Sequence, residues 1–247
     1  MLGNEKKTAL SPDEVLGVIK TLESATTVGD LLTGAAKALG VKVSLYQHFT
    51  AVGAFDFNTY GNFHPYKVPE EILEFYSQDN KYDRDPVIVA AFAKGRSIWL
   101  SDTINEPYVK EVKHEAMINW TLKKVGDGLC CPLYGPDNRR GYAFVGFGRD
   151  KTEFAPIMPY QIQTLVQLMH VRYCKMIKSL QRQIKFTRRE TEVLELMSFG
   201  KTNAEIATVL KISKSTVDGY VKNIFLKLET TDRVSAAMRA QTLQLKT

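Results

Sequence analysis

FTRRETEVLELMSFGKTNAEIATVLKISKSTVDGYVKNIFLKLETTDRVSAAMRAQTL, residues 186–243, divides into four short helical patterns with tight stops between them. Thr187 is placed to cap the first, and Glu190 three residues on completes a capping box. Val193, Leu194 and Met197 then form an apolar face at helical spacing. Gly200 stops that helix. Asn203 is expected to cap a second helix carrying Ile206, Ala207 and Leu210, and Lys211 to Ser213 make a turn. Ser213 caps a third helix in which Val217, Val221, Ile224 and Leu228 share a face, and Asp232 caps a fourth with Val234, Ala237 and Met238. Two helices joined by so short a turn make a helix-turn-helix, whose second helix can enter the major groove of DNA.

Charge separates this reading from that of a plain helical bundle. Residues 182–247 hold 12 Lys/Arg and 7 Asp/Glu, a net of +5, against +6 for the whole chain, which leaves +1 for residues 1–181. The excess cations sit where phosphates would have to be met. The backbone contacts are expected from Lys201, Thr202, Lys214, Ser215 and Thr216 at the helix ends, and base reading from Asp218, Gly219 and Lys222. Asp218 has two readings: it accepts from a cytosine amino group, or it pairs with Lys222 one turn on.

The segment resembles the DNA-binding domain of LuxR-type and NarL/FixJ-type transcription regulators. The match rests on Thr187, Glu190, Leu194, Gly200, Lys201, Asn203, Glu205, Ile206, Ala207, Ser213, Thr216, Val217, Asn223, Ile224, Lys227, Leu228 and Arg233. Most of these are caps and core, so they identify a fold. By the resemblance, the positions of Asp218 and Lys222 face the groove, where basic residues are usual and Asp218 is a departure.

The 247 residues suffice for two domains. No apolar run reaches the ~18–20 residues of a membrane helix, and MLGNEKKTALSPDE has no apolar core behind its charges, as a secretory signal would. Three cysteines suggest neither a disulfide framework nor a zinc site, so a reducing cytoplasm is the expected setting. His48, His64, His114 and His170 are scattered without metal-ligand spacing, and no G-x-S-x-G or P-loop is present. The chain reads as no enzyme, with no catalytic residue, no metal and no cofactor. A phosphorylation receiver would need an early acidic cluster and an alternating parallel βα pattern, and residues 1–120 show neither.

Residues 1–181 read as a mixture of helices and strands. Helical patterns begin after Ser11 and after Thr26 or Thr27, and Val41–Gln47 alternates as a strand. Residues 51–66 hold one or two more strands. Helices are expected from Pro69, from Pro86 with Asp85 as cap, and as one continuous run over 106–125. Leu129–Tyr134 and Gly141–Gly148 are strands joined by GPDN turn chemistry, and a long helix runs from Pro156 or Pro159 to about Gln183. The expected architecture is α+β: an N-terminal α/β/α sandwich, 1–181, with about five antiparallel strands, then a four-helix helix-turn-helix domain, 182–247.

The order of helices and strands, followed by DP, W, GDGLCCPLYG and a glycine-started strand, resembles the autoinducer-binding domain of LuxR-type quorum-sensing regulators. In that family an acyl-homoserine lactone lies between the sheet and the helices of one side. Tyr76, Asp85, Pro86, Trp99 and Gly128 stand at hallmark positions. The resemblance implies that Asp85 accepts the amide N–H of a ligand and that Tyr76 and Trp99 wall a pocket. From the residues alone, Asp85 reads equally as a plain N-cap, and the aromatics as packed core. Ile72 replaces the family's donor tryptophan, Val68 a tyrosine, and Gly146 a Ser or Thr. The pocket is either rebuilt with Tyr60, Tyr66, Trp120 or Tyr134 as donors, or meant for a ligand other than a standard lactone, or empty in a ligand-independent regulator. The implied partners are operator DNA, a second copy in a homodimer, a small-molecule signal and RNA polymerase, with no membrane.

Overall fold

Several helices of this chain begin where a side-chain oxygen takes up free backbone N–H groups. Ser11 caps α1 (Pro12–Ser24) in a reciprocal box with Glu14, and Thr27 caps α2 (Val28–Ala38). The computed structural model describes residues 8–49, 63–77, 85–112, 114–136, 138–180 and 184–237. These form two compact units, one ending at Ile177 and one beginning at Lys178. The expected junction at 181/182 falls outside the described residues.

The first unit is built on five strands, β1 (Val43–Phe49), β2 (Phe63–Tyr66), β3 (Ile98–Trp99), β4 (Gly128–Tyr134) and β5 (Arg140–Gly146). They are ordered β2-β1-β5-β4-β3 with every pairing antiparallel. Alternation assigns the faces. Leu129, Cys131, Leu133, Ala143 and Val145 bury against α1, α2 and α8 (Met158–Leu180). Cys130 and Tyr142 bury on the opposite face, against α4 (Pro86–Lys94), α5 (Leu100–Thr103), α6 (Pro107–Glu111) and α7 (Glu115–Val125). α3 (Glu70–Ser77) adds Ile72 to the same side, beside Val43 and Val125.

The single helix expected over 106–125 is two helices, α6 and α7, with His114 between them. The reason is geometric. Val109 and Ile118 are both fully buried in one cluster, yet residues nine apart on a continuous helix point to opposite sides. The break lets both reach the core. A polar network lies inside the other face: the Tyr46 hydroxyl is 2.8 Å from Nδ1 of His170, whose Nε2 faces the Arg139 carbonyl. Burial, together with the nearby Arg139 charge and against that carbonyl bond, lowers the His170 pKa from 6.5 to about 4, so the ring is neutral and accepts from Tyr46.

The second unit has α9 (Arg188–Ser198), α10 (Asn203–Leu210), α11 (Lys214–Leu228) and a helical turn over 233–237. Thr187 and Glu190 form the expected capping box. The cap of α10 is Thr202, not Asn203: Thr202 makes its own box with Glu205, which leaves the Asn203 side chain for other work. Lys211 takes the left-handed conformation at the tight turn, and Ser213 caps α11. Val193, Leu194, Met197, Ile206, Val217, Ile224 and Leu228 make the core. Glu190 is buried and receives a 2.6 Å hydrogen bond from Lys227, which also donates to the Lys185 carbonyl. Burial pushes the Glu190 carboxyl up, but hydrogen bonds from Lys227 and Thr187 outweigh it and hold the pKa below the ordinary value.

Candidate ligand cavity and DNA-binding surface

A cavity of about 60 Å³ lies on the α4–α7 face of the sheet, under β1 and β5. Its floor is Val43, Leu45, Gln47, Tyr142 and Phe144, and its walls include Val68, Ile72, Asp85, Ile88, His114, Ile118 and Val125. Asp85 is where both readings of the sequence put it. It caps α4, accepting the Val87 N–H at 2.8 Å, and it borders the cavity while buried.

The other expected pocket residues divide. Ile72 and Val68 line the cavity as apolar wall. Trp120 packs beside them against the cluster of Val43, Ile72 and Val125. Trp99 does not border the cavity: it pairs with Leu129 in the sheet and its ring lies 5.3 Å from Phe154, on the α8 face. Its strand parity, set by Leu129, turns it away. Tyr66 borders a different hollow, between α2 and α8, and Tyr134 is exposed against Phe92. Tyr60 lies outside the described residues, and so does the side chain of Tyr76, the last but one residue of α3.

Gly128 and Gly146 face each other across β4 and β5. They act through what they lack. A Cβ at Gly128 would stand 2.6 Å from the Phe144 ring, and one at Gly146 would stand 2.7 Å from Val43 and 3.0 Å from the same ring. The two glycines let Phe144 lie flat as cavity floor.

Two polar groups that the sequence reading passed over also line the cavity. Gln47 is 4 % exposed and its buried Oε1 has no hydrogen-bond partner among the described residues. His114 stands at the N-cap of α7 but makes no side-chain cap bond, and its buried Nε2 has no hydrogen-bond partner among the described residues. The distance from Nε2 to Asp85 Oδ1 is 3.8 Å. A signal for Gln47 exists in the sequence: it interrupts the apolar series Val43, Leu45 on the inward side of a strand.

In the second unit, α11 presents two faces. Val217, Val221, Ile224 and Leu228 are buried, whereas Lys214, Asp218 and Lys222, spaced by four, are exposed along with Ser215, Thr216 and Gly219. Hydroxyls cluster at the N-terminus of α11, with Ser213 Oγ 2.8 Å from that of Ser215 and 2.7 Å from that of Thr216. Lys201 and Thr202 lead into α10, both exposed, with Lys201 3.7 Å from Glu205. Asp218 takes its hydrogen bond from α10 and not from Lys222: it accepts from Asn203 Nδ2 at 2.7 Å. Asn203 in turn accepts from Arg233 at 2.8 Å, and Arg233 also donates to the Lys201 carbonyl. The network ties α10, α11 and the last turn together.

Among the described residues no cluster of His, Cys, Asp or Glu could hold a metal ion, and no helix is long and apolar enough to cross a membrane. Residues 24–173 match the family of the autoinducer binding domain, and residues 185–240 match that of bacterial regulatory proteins, luxR family. The chain belongs to the LuxR family. It is therefore an autoinducer-binding, DNA-binding transcription regulator, and not an enzyme. Among relatives of this regulator are the regulatory protein SdiA of Escherichia coli (strain K12), 27% identical over 179 residues, and the quorum sensing-dependent regulator VjbR of Brucella abortus (strain 2308), 28% identical over 189 residues. The alignments span 70% of this chain and 71% of SdiA, and 71% of both chains for VjbR. The solved structure of SdiA in complex with octanoyl-rac-glycerol shares the fold, with a TM-score of 0.69 at 20% identity, over 96% of this chain and 98% of that one.

Proposed function

We propose that this LuxR-family regulator senses an acyl-homoserine lactone or a related amide-bearing molecule in the α4–α7 cavity, with residues 1–181 as the sensing domain and 182–247 as the DNA-binding domain. The observation that carries the reading is Asp85, a buried carboxylate at the cavity wall with one oxygen already on the Val87 N–H. A carboxylate offers several acceptor positions, and a ligand amide N–H reaching the cavity wall can occupy one. The relative SdiA has been crystallised with an octanoyl compound, which fits a medium acyl chain on the apolar wall. The protein acts in the cytoplasm as a homodimer, because helices of this motif read paired half-sites about one helical turn apart. It meets operator phosphates through Lys201, Thr202, Lys214, Ser215 and Thr216 and bases through Asp218, Gly219 and Lys222, and it works on RNA polymerase.

One observation favours a second reading, a regulator of this fold that needs no ligand. The cavity's 60 Å³ is well below the ~300–1,000 Å³ of a typical ligand site. A ligand must then displace α3, α4 or α7 and complete the core itself. Mass spectrometry of the purified protein, followed by melting curves with an acyl-amide series, separates the two. Ligand at a hundred times its dissociation constant is expected to stabilise the protein by about 2.7 kcal/mol. Asp85→Asn keeps a good N-cap and should abolish the shift. No co-purified molecule, no shift with any compound and normal operator binding by Asp85→Asn would leave the ligand-independent reading standing.

A further inference from the structure

We infer that the cavity selects an acyl amide whose head group carries free hydroxyl groups in preference to a closed lactone ring. The inference rests on the ligand reading above and specifies its chemistry.

The cavity has a polar end and an apolar end. Gln47 is paired in register with Tyr142, which belongs to the cluster of Val87, Ile88 and Ile118 that opens α4 and α7. Asp85 and His114 begin those same two helices. At the other end, Val43, Ile72 and Val125 form a dry cluster, suited to an acyl chain. The polar end is unfinished: Oε1 of Gln47 and Nε2 of His114 are buried and have no hydrogen-bond partner among the described residues.

The chemistry of those orphans decides the head group. A side-chain amide offers a carbonyl on one side and an amino group on the other, and an imidazole nitrogen donates or accepts according to its tautomer. A hydroxyl, which both donates and accepts, satisfies each in either state. The 3.8 Å between His114 Nε2 and Asp85 Oδ1 is too long for a direct bond, but an oxygen about 2.8 Å from both would bridge them. An acyl-homoserine lactone has one donor, its amide N–H. Once Asp85 has taken that proton, the ring offers only acceptors, and the Gln47 carbonyl stays unpaired. A second donor on the ligand completes the site.

The test compares two probes of equal carbon count, N-octanoyl-homoserine lactone and the N-octanoyl amino diol made by reducing its ring. Affinities come from calorimetry on the full-length protein, with melting curves as a check. The diol is expected to bind about tenfold tighter, the effect of one buried polar group left unpaired. In Gln47→Leu that advantage should shrink to under threefold. The unliganded variant should melt no lower than the parent, since an orphan has been replaced by an apolar group of similar size. His114→Phe should reduce diol binding more than lactone binding. Equal or tighter binding of the lactone by the parent protein would overturn the inference and leave the proposed function intact. So would an equal loss for both probes in Gln47→Leu. Silence from both probes in the parent protein would overturn the ligand reading and this inference with it.

Discussion

In the DNA-binding unit Thr187, Thr202 and Ser213 each accept from a backbone N–H three residues on. In the sensing unit Tyr46 meets His170 across 124 residues, and Arg172 donates to Ala25 across 147. The helix starts of the DNA-binding unit are set by neighbours in sequence, and its longer ties, Lys227 to Glu190 and Arg233 to Asn203, span 37 and 30 residues. The sensing unit is organised by a sheet in which β1, from the first fifth of the chain, pairs with β5 of the β4–β5 hairpin far along it. Local organisation gives a surface whose chemistry is written directly along α11. Long-range organisation gives a cavity, whose walls depend on which side of each strand faces in.

Acid should separate the two most strongly. His170 has its pKa lowered to about 4 from 6.5. A group depressed on folding contributes stability that is full above its unfolded pKa and is lost as pH falls towards the folded one. For His170 that window runs from 6.5 to 4, and at pH 5 the loss is about 2 kcal/mol. Glu190 is depressed too, but its window opens only below 4.5. Hydrogen exchange at pH 7 and pH 5 is therefore expected to show loosening around β1, β5 and α8 with α9–α11 unchanged. If α9–α11 loosened first, the polar core of the sensing unit would not be its weak point.

Glycine tests the comparison from the side of packing. Gly128→Ala pushes a Cβ to 2.6 Å from the Phe144 ring and 2.7 Å from the Val145 carbonyl, and should cost the sensing unit about 1–3 kcal/mol. A Cβ at Gly219 in α11 would meet nothing within 4 Å, so Gly219→Ala should stabilise the helix by ~0.5–1 kcal/mol. Melting of the two variants reads both signs, and a loss at Gly219 would mean that α11 is not free on that side.

The smallest effects belong to the DNA surface. Lys214→Ala is expected to weaken binding to all DNA alike and to reduce the salt slope by about one. Asp218→Asn keeps an acceptor for Asn203 while removing a charge that repels phosphate, and should tighten binding on every sequence by less than about tenfold. A loss confined to the operator would make Asp218 a base reader.

The two units differ in legibility for the same reason. Caps at Thr187 and Ser213 and the apolar face of α11 are signals within one turn, and the α10 cap reads one residue late because Thr202 and Asn203 are both good caps. Asp85 is legible because DP before an apolar run is also a local signal. Trp99 is not, since its orientation follows from pairing with Leu129 thirty residues on. The break at His114 is hidden by a helical pattern that runs through it. Gln47 shows only as a polar residue in an apolar series, which means little until Phe144 and Asp85 are known to share its cavity.

Gly146 carries a consequence for how such a pocket can change over generations. A serine there would restore a hydroxyl to the strand, yet its Cβ would meet Val43 and Phe144 before the hydroxyl reached any ligand. Room for that side chain requires Val43 to give way as well as Phe144. As long as Val43 and Phe144 keep their present size, the floor of the cavity holds position 146 to glycine.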